Sequence, residues 1–163
     1  MNIEKIESID KTKLSENELT EYKNIGAEEI KSGKLAIVTL AGGQGTRLGH
    51  QGPKGTFELL PNKSLFEILC DKLKEAYRTY GCYINWYIMT SHENNKATVD
   101  FFEKENYFNY PKDHITFFIQ HEVPMKTFDG KEFLDENGKV KYRSKWPWRH
   151  IYIFRRNRNA KRY

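Results

Sequence analysis

The stretch Lys34-Leu35-Ala36-Ile37-Val38-Thr39-Leu40-Ala41 runs directly into Gly42-Gly43-Gln44-Gly45-Thr46-Arg47-Leu48-Gly49, with Pro53-Lys54-Gly55 close behind. Its first half is short, apolar and β-branched, the pattern of a strand buried on both faces. Its second half holds too many glycines to continue as strand or helix. A buried strand that opens into a glycine-rich loop suits an α/β fold, in which ligands bind beyond the carboxyl ends of parallel strands.

Downstream the alternation repeats. Ser64 can cap a helix with apolar positions Leu65, Ile68, Leu69, Leu73, Ala76 and Tyr77, and Gly81 stands behind it. Residues Asn85–Thr90 read as a second buried strand. Ser91 and the charged stretch after it open a second helix with Val99, Phe102 and Phe108 facing inward, and Ile115–Gln120 forms a third strand. This order predicts a mainly parallel sheet with right-handed crossovers. The glycine-rich loop, Thr90-Ser91 and Gln120-His121 then share one sheet edge. Residues Phe128–Lys131 and Asp135–Lys139 read as turns, the second a hairpin with Asn137-Gly138 at its tip. Upstream, residues 1–33 carry Ile3, Ile6, Ile9, Leu14, Leu19, Tyr22, Ile25 and Ile30 at intervals of three to five. That predicts one or two amphipathic helices as a peripheral cover.

The chain has 163 residues, enough for one domain or a piece of a larger one. Its net charge of +5 is unevenly placed: Arg143–Tyr163 holds eight basic residues and no acidic one. Residues 1–142 therefore carry 19 basic against 22 acidic side chains, so the basic character belongs to the tail. No apolar run approaches the roughly 20 residues of a membrane-spanning helix. The acidic start MNIEKIESID offers no secretory h-region. Cys70 and Cys82 have neither CxxC nor His-pair spacing, which excludes a disulfide scaffold and a zinc site and fits a reducing cytoplasm. Cys70 reads as core, and His92, His114 and His121 as ordinary polar residues without ligand spacing.

The loop's chemistry points to an anion. Glycines let backbone N–H groups approach a phosphate closely. Arg47 adds a planar fork and Lys54 a compact point charge. A P-loop is excluded because Lys54 stands between Pro53 and Gly55 rather than in Gly-Lys-Ser/Thr. A Rossmann dinucleotide fingerprint is excluded because Leu48 occupies the place of its third glycine.

These residues resemble the signature of sugar-nucleotide pyrophosphorylases. The wording from Gly42 to Gly49 with Pro53-Lys54-Gly55 is similar to that of the UDP-N-acetylglucosamine pyrophosphorylases and the related UDP-glucose and UDP-sugar uridylyltransferases. The likeness continues through Trp86–Ser91, Asp100-Phe101-Phe102, Tyr107-Phe108, Phe117–Gln120 and Phe128–Lys131, covering about residues 35–142. It implies a Rossmann-like nucleotidyltransferase fold with a mainly parallel sheet, truncated on its C-terminal side. It implies a reaction of UTP with a sugar 1-phosphate, giving a UDP-sugar and pyrophosphate, with Mg²⁺ as cofactor. N-acetylglucosamine 1-phosphate and glucose 1-phosphate are the leading acceptors. By the same resemblance, Leu40, Ala41, Gly42 and Gly43 hold the uridine and phosphate end of UTP, with Gln44, Gly45 and Thr46 completing the loop. Arg47 binds the departing pyrophosphate, Lys54 the α-phosphate and Gln120 the uracil, while Thr90 and Ser91 line the pocket. Charge stabilisation by Arg47 and Lys54 suffices for in-line transfer without a covalent residue.

The likeness stops near the hairpin. The family continues with a segment of the type Asn-Gly-His-Gly-Gly, whereas this chain reads Ser144-Lys145-Trp146-Pro147-Trp148-Arg149-His150. Codons for Lys145–His150 can encode Asn-Gly-His-Gly-Gly one base later. The sequence-level expectation is therefore three segments: a helical 1–33, a nucleotidyltransferase portion 34–142 and an out-of-frame basic tail 143–163. No metal ligand is expected in this chain, which would then be inactive. Two rival readings are a nucleic-acid-binding tail, built on Trp146, Trp148, Tyr152 and Phe154 among basic residues, and a remnant that binds nucleotide without catalysis.

Overall fold

The computed structural model describes residues 8–144. Ile3, Ile6 and the expected tail features from Lys145 onward lie outside the described residues. The elements in chain order are α1 (Glu16–Lys31), β1 (Ala36–Leu40), β2 (Glu58–Leu60), β3 (Lys63–Ser64), α2 (Leu65–Tyr80), β4 (Asn85–Thr90), α3 (Asn95–Lys104), β5 (Ile115–Ile119), β6 (Glu122–Pro124) and β7 (Tyr142–Ser144). Short 3-10 turns link them at Thr46–Leu48, Lys54–Thr56, Asn106–Asn109 and Lys112–His114.

The central sheet has the order β1-β4-β5, parallel throughout, with Thr39 opposite Ile88 and Ile88 opposite Phe117. The predicted parallel sheet is therefore present, and so is the predicted cap. The Ser64 hydroxyl accepts the Glu67 N–H at 3.1 Å, and α2 ends on Gly81 in the left-handed conformation. The residues that α2 buries are Phe66, Cys70 and Leu73, whereas Leu69 and Tyr77, expected inward, are 38% exposed. Cys70 is core as expected, and burial pushes its thiol up to about 11. Such a thiol stays protonated at neutral pH and is a poor nucleophile.

Phe102 of α3 is the hub of the core. Its ring lies 4.9 Å from Phe66, 5.5 Å from Trp86, 5.1 Å from Phe117 and 5.0 Å from Phe108, in edge-to-face geometries that suit the aromatic quadrupole. Phe108 sits in a turn, Asn106–Asn109, whose four residues all have φ between 47° and 58°. A left-handed run is costly for residues with a Cβ, so it needs the burial of Phe108 and Tyr110 to hold it. The Tyr110 hydroxyl donates to the Ile84 carbonyl at 2.8 Å and accepts the Ile84 N–H at 2.9 Å.

Other expectations change. Strand β1 is not buried on both faces: Ile37 is 37%, Val38 41% and Leu40 58% exposed. The reason is topological. β1 is the sheet edge, with β4 its one strand neighbour among the described residues, so it is covered less than the central strand β4. The second helix has Asn94 at its N-cap position and begins at Asn95 rather than at Ser91. Helix α1 forms with a capping box between Ser15 and Glu18 but fully buries none of its residues. Arg143 and Ser144 belong to β7, which pairs antiparallel with β6. The Asp135–Lys139 turn closes as predicted, the Gly138 N–H bonding the Asp135 carbonyl at 3.0 Å.

Candidate nucleotide site

Because β1, β4 and β5 are parallel, the segments that follow them emerge on one edge. The loop from Gly42, Thr90-Ser91 and Gln120-His121 follow these three strands. Ala41 extends the β1–β4 pairing, its N–H donating to the Met89 carbonyl at 2.7 Å, and the Gln120 N–H donates to the Thr90 carbonyl at 2.8 Å. The Gln120 side chain lies against Gly42, where an added Cβ would stand 3.0 Å from Oε1. The glycine is thus what lets the glutamine amide close on the loop.

Past Gly43 the loop doubles back. The Gly45 N–H donates to the Gly52 carbonyl at 2.8 Å and the Lys54 N–H to the Gly43 carbonyl at 3.0 Å. These bonds clip the two ends together into one closed loop that carries Arg47 and Lys54, 7 residues apart in sequence. Both cations are exposed, and neither makes an ion pair with another described residue. The His50 ring packs inside, its Nε2 2.7 Å from the Thr56 hydroxyl. Gly55 anchors the far end: a Cβ there would run into the Phe66 ring. Pro53-Lys54-Gly55 therefore docks directly on the helix that follows it.

Thr90 and Ser91 are present at the edge but occupied by the scaffold. Thr90 is fully buried, its hydroxyl donating to Asn95 Oδ1 at 2.6 Å. Ser91 and Asn94 cap one another: Asn94 Oδ1 accepts the Ser91 N–H at 2.8 Å, and Ser91 Oγ accepts the Asn94 N–H at 3.2 Å. Asn94 was not singled out by sequence reasoning. No local pattern marks it, because its amide bonds to the glycine-rich loop more than 50 residues earlier.

The structure brings together Ala41, Gly42, Gly43, Ser91 and Gln120, and puts Arg47, Lys54 and Thr46 on the loop's exposed side; Leu40, at the strand end, is 58% exposed. The expected magnesium has no carboxylate to meet here. No acidic residue occurs from Lys34 to Phe57, and no group of three or more His, Cys, Asp or Glu side chains converges among the described residues. The described residues of this edge do not fit a metal site. His114 is an ordinary polar residue as expected, its Nδ1 lying 3.0 Å from Asn85 Oδ1.

A parallel sheet with a glycine-rich, cation-bearing loop at its carboxyl edge defines an α/β domain of the nucleotidyltransferase type. The sequence profile described as UTP–glucose-1-phosphate uridylyltransferase matches residues 1–154, and the chain belongs to that family. It is 44% identical over 119 residues to the UDP-N-acetylglucosamine pyrophosphorylase of Saccharomyces cerevisiae, covering 70% of this chain and 25% of the yeast protein. Among solved structures, the Trypanosoma brucei uridine diphosphate N-acetylglucosamine pyrophosphorylase superposes with a TM-score of 0.68 at 31% identity, over 78% of this chain and 27% of that one. The Leishmania major UDP-glucose pyrophosphorylase shares the fold, with a TM-score of 0.55 at 18% identity over 64% of this chain and 22% of the other. The chain spans about a quarter of the length of the curated relatives it matches.

Proposed function

We propose that this chain is the nucleotide-binding portion of a UDP-sugar pyrophosphorylase and that its ligand is UTP. The observation that carries the reading is the closed loop Gly42–Gly55. It offers glycine amides and two unpaired cations, Arg47 and Lys54, at the sheet edge where Gln120 lies over Gly42. The names of the yeast and trypanosomal relatives support N-acetylglucosamine 1-phosphate as the acceptor. In the proposed whole-protein reaction, a phosphate oxygen of the sugar 1-phosphate attacks the α-phosphorus of UTP in line. The bond to the bridging oxygen of pyrophosphate breaks, and charge builds on the leaving group. Arg47 takes up that growing charge as a bidentate donor, and Lys54 neutralises the α-phosphate as the two negative reactants meet. Gln120 reads the uracil edge through its amide, and the Mg²⁺ of the resemblance would bring its own requirement for carboxylates that the described residues do not meet. The compartment proposed is the cytoplasm; among the described residues no helix is long and apolar enough to cross a membrane.

The portion 1–163 is proposed to bind UTP yet to transfer uridylyl groups only at background, because orientation of the polyphosphate by a metal and of the sugar by a pocket is missing from the described residues. Titration calorimetry of 1–163 with UTP, beside an assay of pyrophosphate release from UTP and N-acetylglucosamine 1-phosphate, tests both halves. Heat of binding without release is the expected pair. Absence of UTP binding sinks the nucleotide reading, and release well above background sinks the proposal of inactivity.

A further inference from the structure

Asn94 is completely buried, yet every hydrogen bond it makes is polar and directed. Its Oδ1 is taken by the Ser91 N–H at 2.8 Å. Its Nδ2 crosses to the glycine-rich loop and donates to the Ala41 carbonyl at 2.9 Å and the Gly43 carbonyl at 3.3 Å. The Gly43 carbonyl also receives the Lys54 N–H at 3.0 Å. One side chain from the start of α3 therefore fixes two peptide planes in a loop more than 50 residues earlier.

We propose that Asn94 is the positioning residue that holds the glycine-rich loop in its phosphate-receiving shape. The reason lies in peptide geometry. All peptide bonds among the described residues are trans, so each N–H points opposite to the carbonyl of the same plane. With the Ala41 and Gly43 carbonyls turned toward Asn94, the N–H groups of Gly42 and Gln44 face away from it. Neither they nor the Gly43 N–H donates to another backbone group among the described residues. Backbone amides kept free and aimed outward are what a phosphate group engages. Without the Asn94 amide, glycine freedom would let these planes rotate and turn carbonyl oxygens to the same side. An oxygen facing a phosphate repels it. This inference rests on the nucleotide reading given above for the identity of the ligand, but not for the shape of the loop.

The test separates the two. In the 1–163 chain labelled with ¹⁵N-glycine and ¹⁵N-asparagine, the Asn94 side-chain amide should exchange its protons with water at least ~10-fold more slowly than exposed asparagine side chains, as a buried bonded amide does. Asn94→Asp keeps the size and the acceptor for Ser91 but sets a carboxylate oxygen against two carbonyls. The Gly42 and Gly43 amide signals should shift or broaden while those of Gly81 and Gly130, at other turns, stay in place, and UTP affinity should fall roughly tenfold, about the worth of one net hydrogen bond. Fast exchange of the Asn94 side chain overturns the inference, and this readout stands even where N94D does not fold. Unmoved Gly42 and Gly43 signals in folded N94D overturn it as well, as does unchanged UTP affinity with a disturbed loop. Wild-type chain that binds no UTP, with glycine signals moved by N94D, supports Asn94 as the loop's holder and defeats the nucleotide reading alone.

Discussion

The inner and outer sides of the glycine-rich loop are built on opposite terms. On the inner side Ala41, Thr90, Ser91, Asn94 and Gln120 are all buried, and Thr90, Ser91 and Asn94 satisfy each other and their neighbours within 2.6–3.3 Å. On the outer side Arg47 and Lys54 stand exposed on two short turns, with no carboxylate among the described residues paired to either. The two types of polar residue do different work. Those bonded inside are constrained to hold shape, because breaking them leaves a buried donor or acceptor without a partner. Those left unpaired outside add little to stability and remain available to a charged ligand. Hydroxyls such as that of Thr90, which the family resemblance assigns to the pocket lining, stand here with the holders.

The contrast is sharpest at Gly55, where loop and core touch. Phe66→Ala should destabilise the chain by about 3–5 kcal/mol through lost burial and an unfilled cavity, read as a lowered urea midpoint. Gly55→Ala should cost about 1–3 kcal/mol, because its Cβ would meet the Phe66 ring. In the Phe66→Ala background that second cost should largely vanish. Additive costs in this cycle would mean that the loop does not rest on Phe66. Arg47→Ala, on the outer side, should weaken UTP binding by about 1.5–3 kcal/mol in calorimetry, the range for hydrogen bonds to charged groups. Its melting temperature should match the parent. A substitution that lowered stability and left affinity intact would place Arg47 among the holders.

Lys54→Ala asks whether the outer side acts on binding or on transfer. In the whole protein it should lower turnover by more than it raises the Michaelis constant for UTP, since charge near the α-phosphate is stabilised most in the transition state. A raised Michaelis constant with turnover intact would restrict Lys54 to binding. The smallest effect is expected away from the site, at Asp71. The Lys63 ammonium bonded to it holds its carboxyl below the usual carboxylate range, with Lys74 3.5 Å away assisting. A lowered folded pKa contributes stability above the ordinary carboxylate value and loses it as pH falls through the folded value. Asp71→Asn should therefore cost about 0–1 kcal/mol at neutral pH, as a surface pair does, and nothing in strong acid where the parent is protonated too. A gap between the two melting curves that widens on acidification would reverse this assignment.

Much of the architecture was written locally. The order of strands and helices, the Ser64 cap, the Gly81 stop, the Asn137-Gly138 turn and the core place of Cys70 all follow from short-range chemistry: period, capping hydroxyls and left-handed glycine. That the segment after the first strand is a loop was equally legible, because so many glycines cannot continue a strand or a helix. What could not be read were properties that depend on neighbours far along the chain. β1 and β4 are similarly apolar, yet Ile88 is fully buried and Val38 is 41% exposed. Composition sets how much a strand gains from burial, whereas its position in the sheet order decides whether that burial occurs.

The helices make the same point. The sequence by itself predicted helix in both places, one or two amphipathic helices within residues 1–33 and one opened by Ser64 and stopped at Gly81, since capping and propensity act within one turn. Only the tertiary structure decided that α2 sends Phe66 under Gly55 and into the Trp86–Phe102 cluster while α1 fully buries nothing. The sequence likewise determined that a glycine-rich loop follows the first strand. That Asn94 holds this loop was decided by the parallel order of β1 and β4, which sets the start of α3 beside Ala41 and Gly43. Local free energies depend on residues within a few positions of each other and can be read along the chain. A hydrogen bond across more than 50 residues exists only once the sheet has closed that distance.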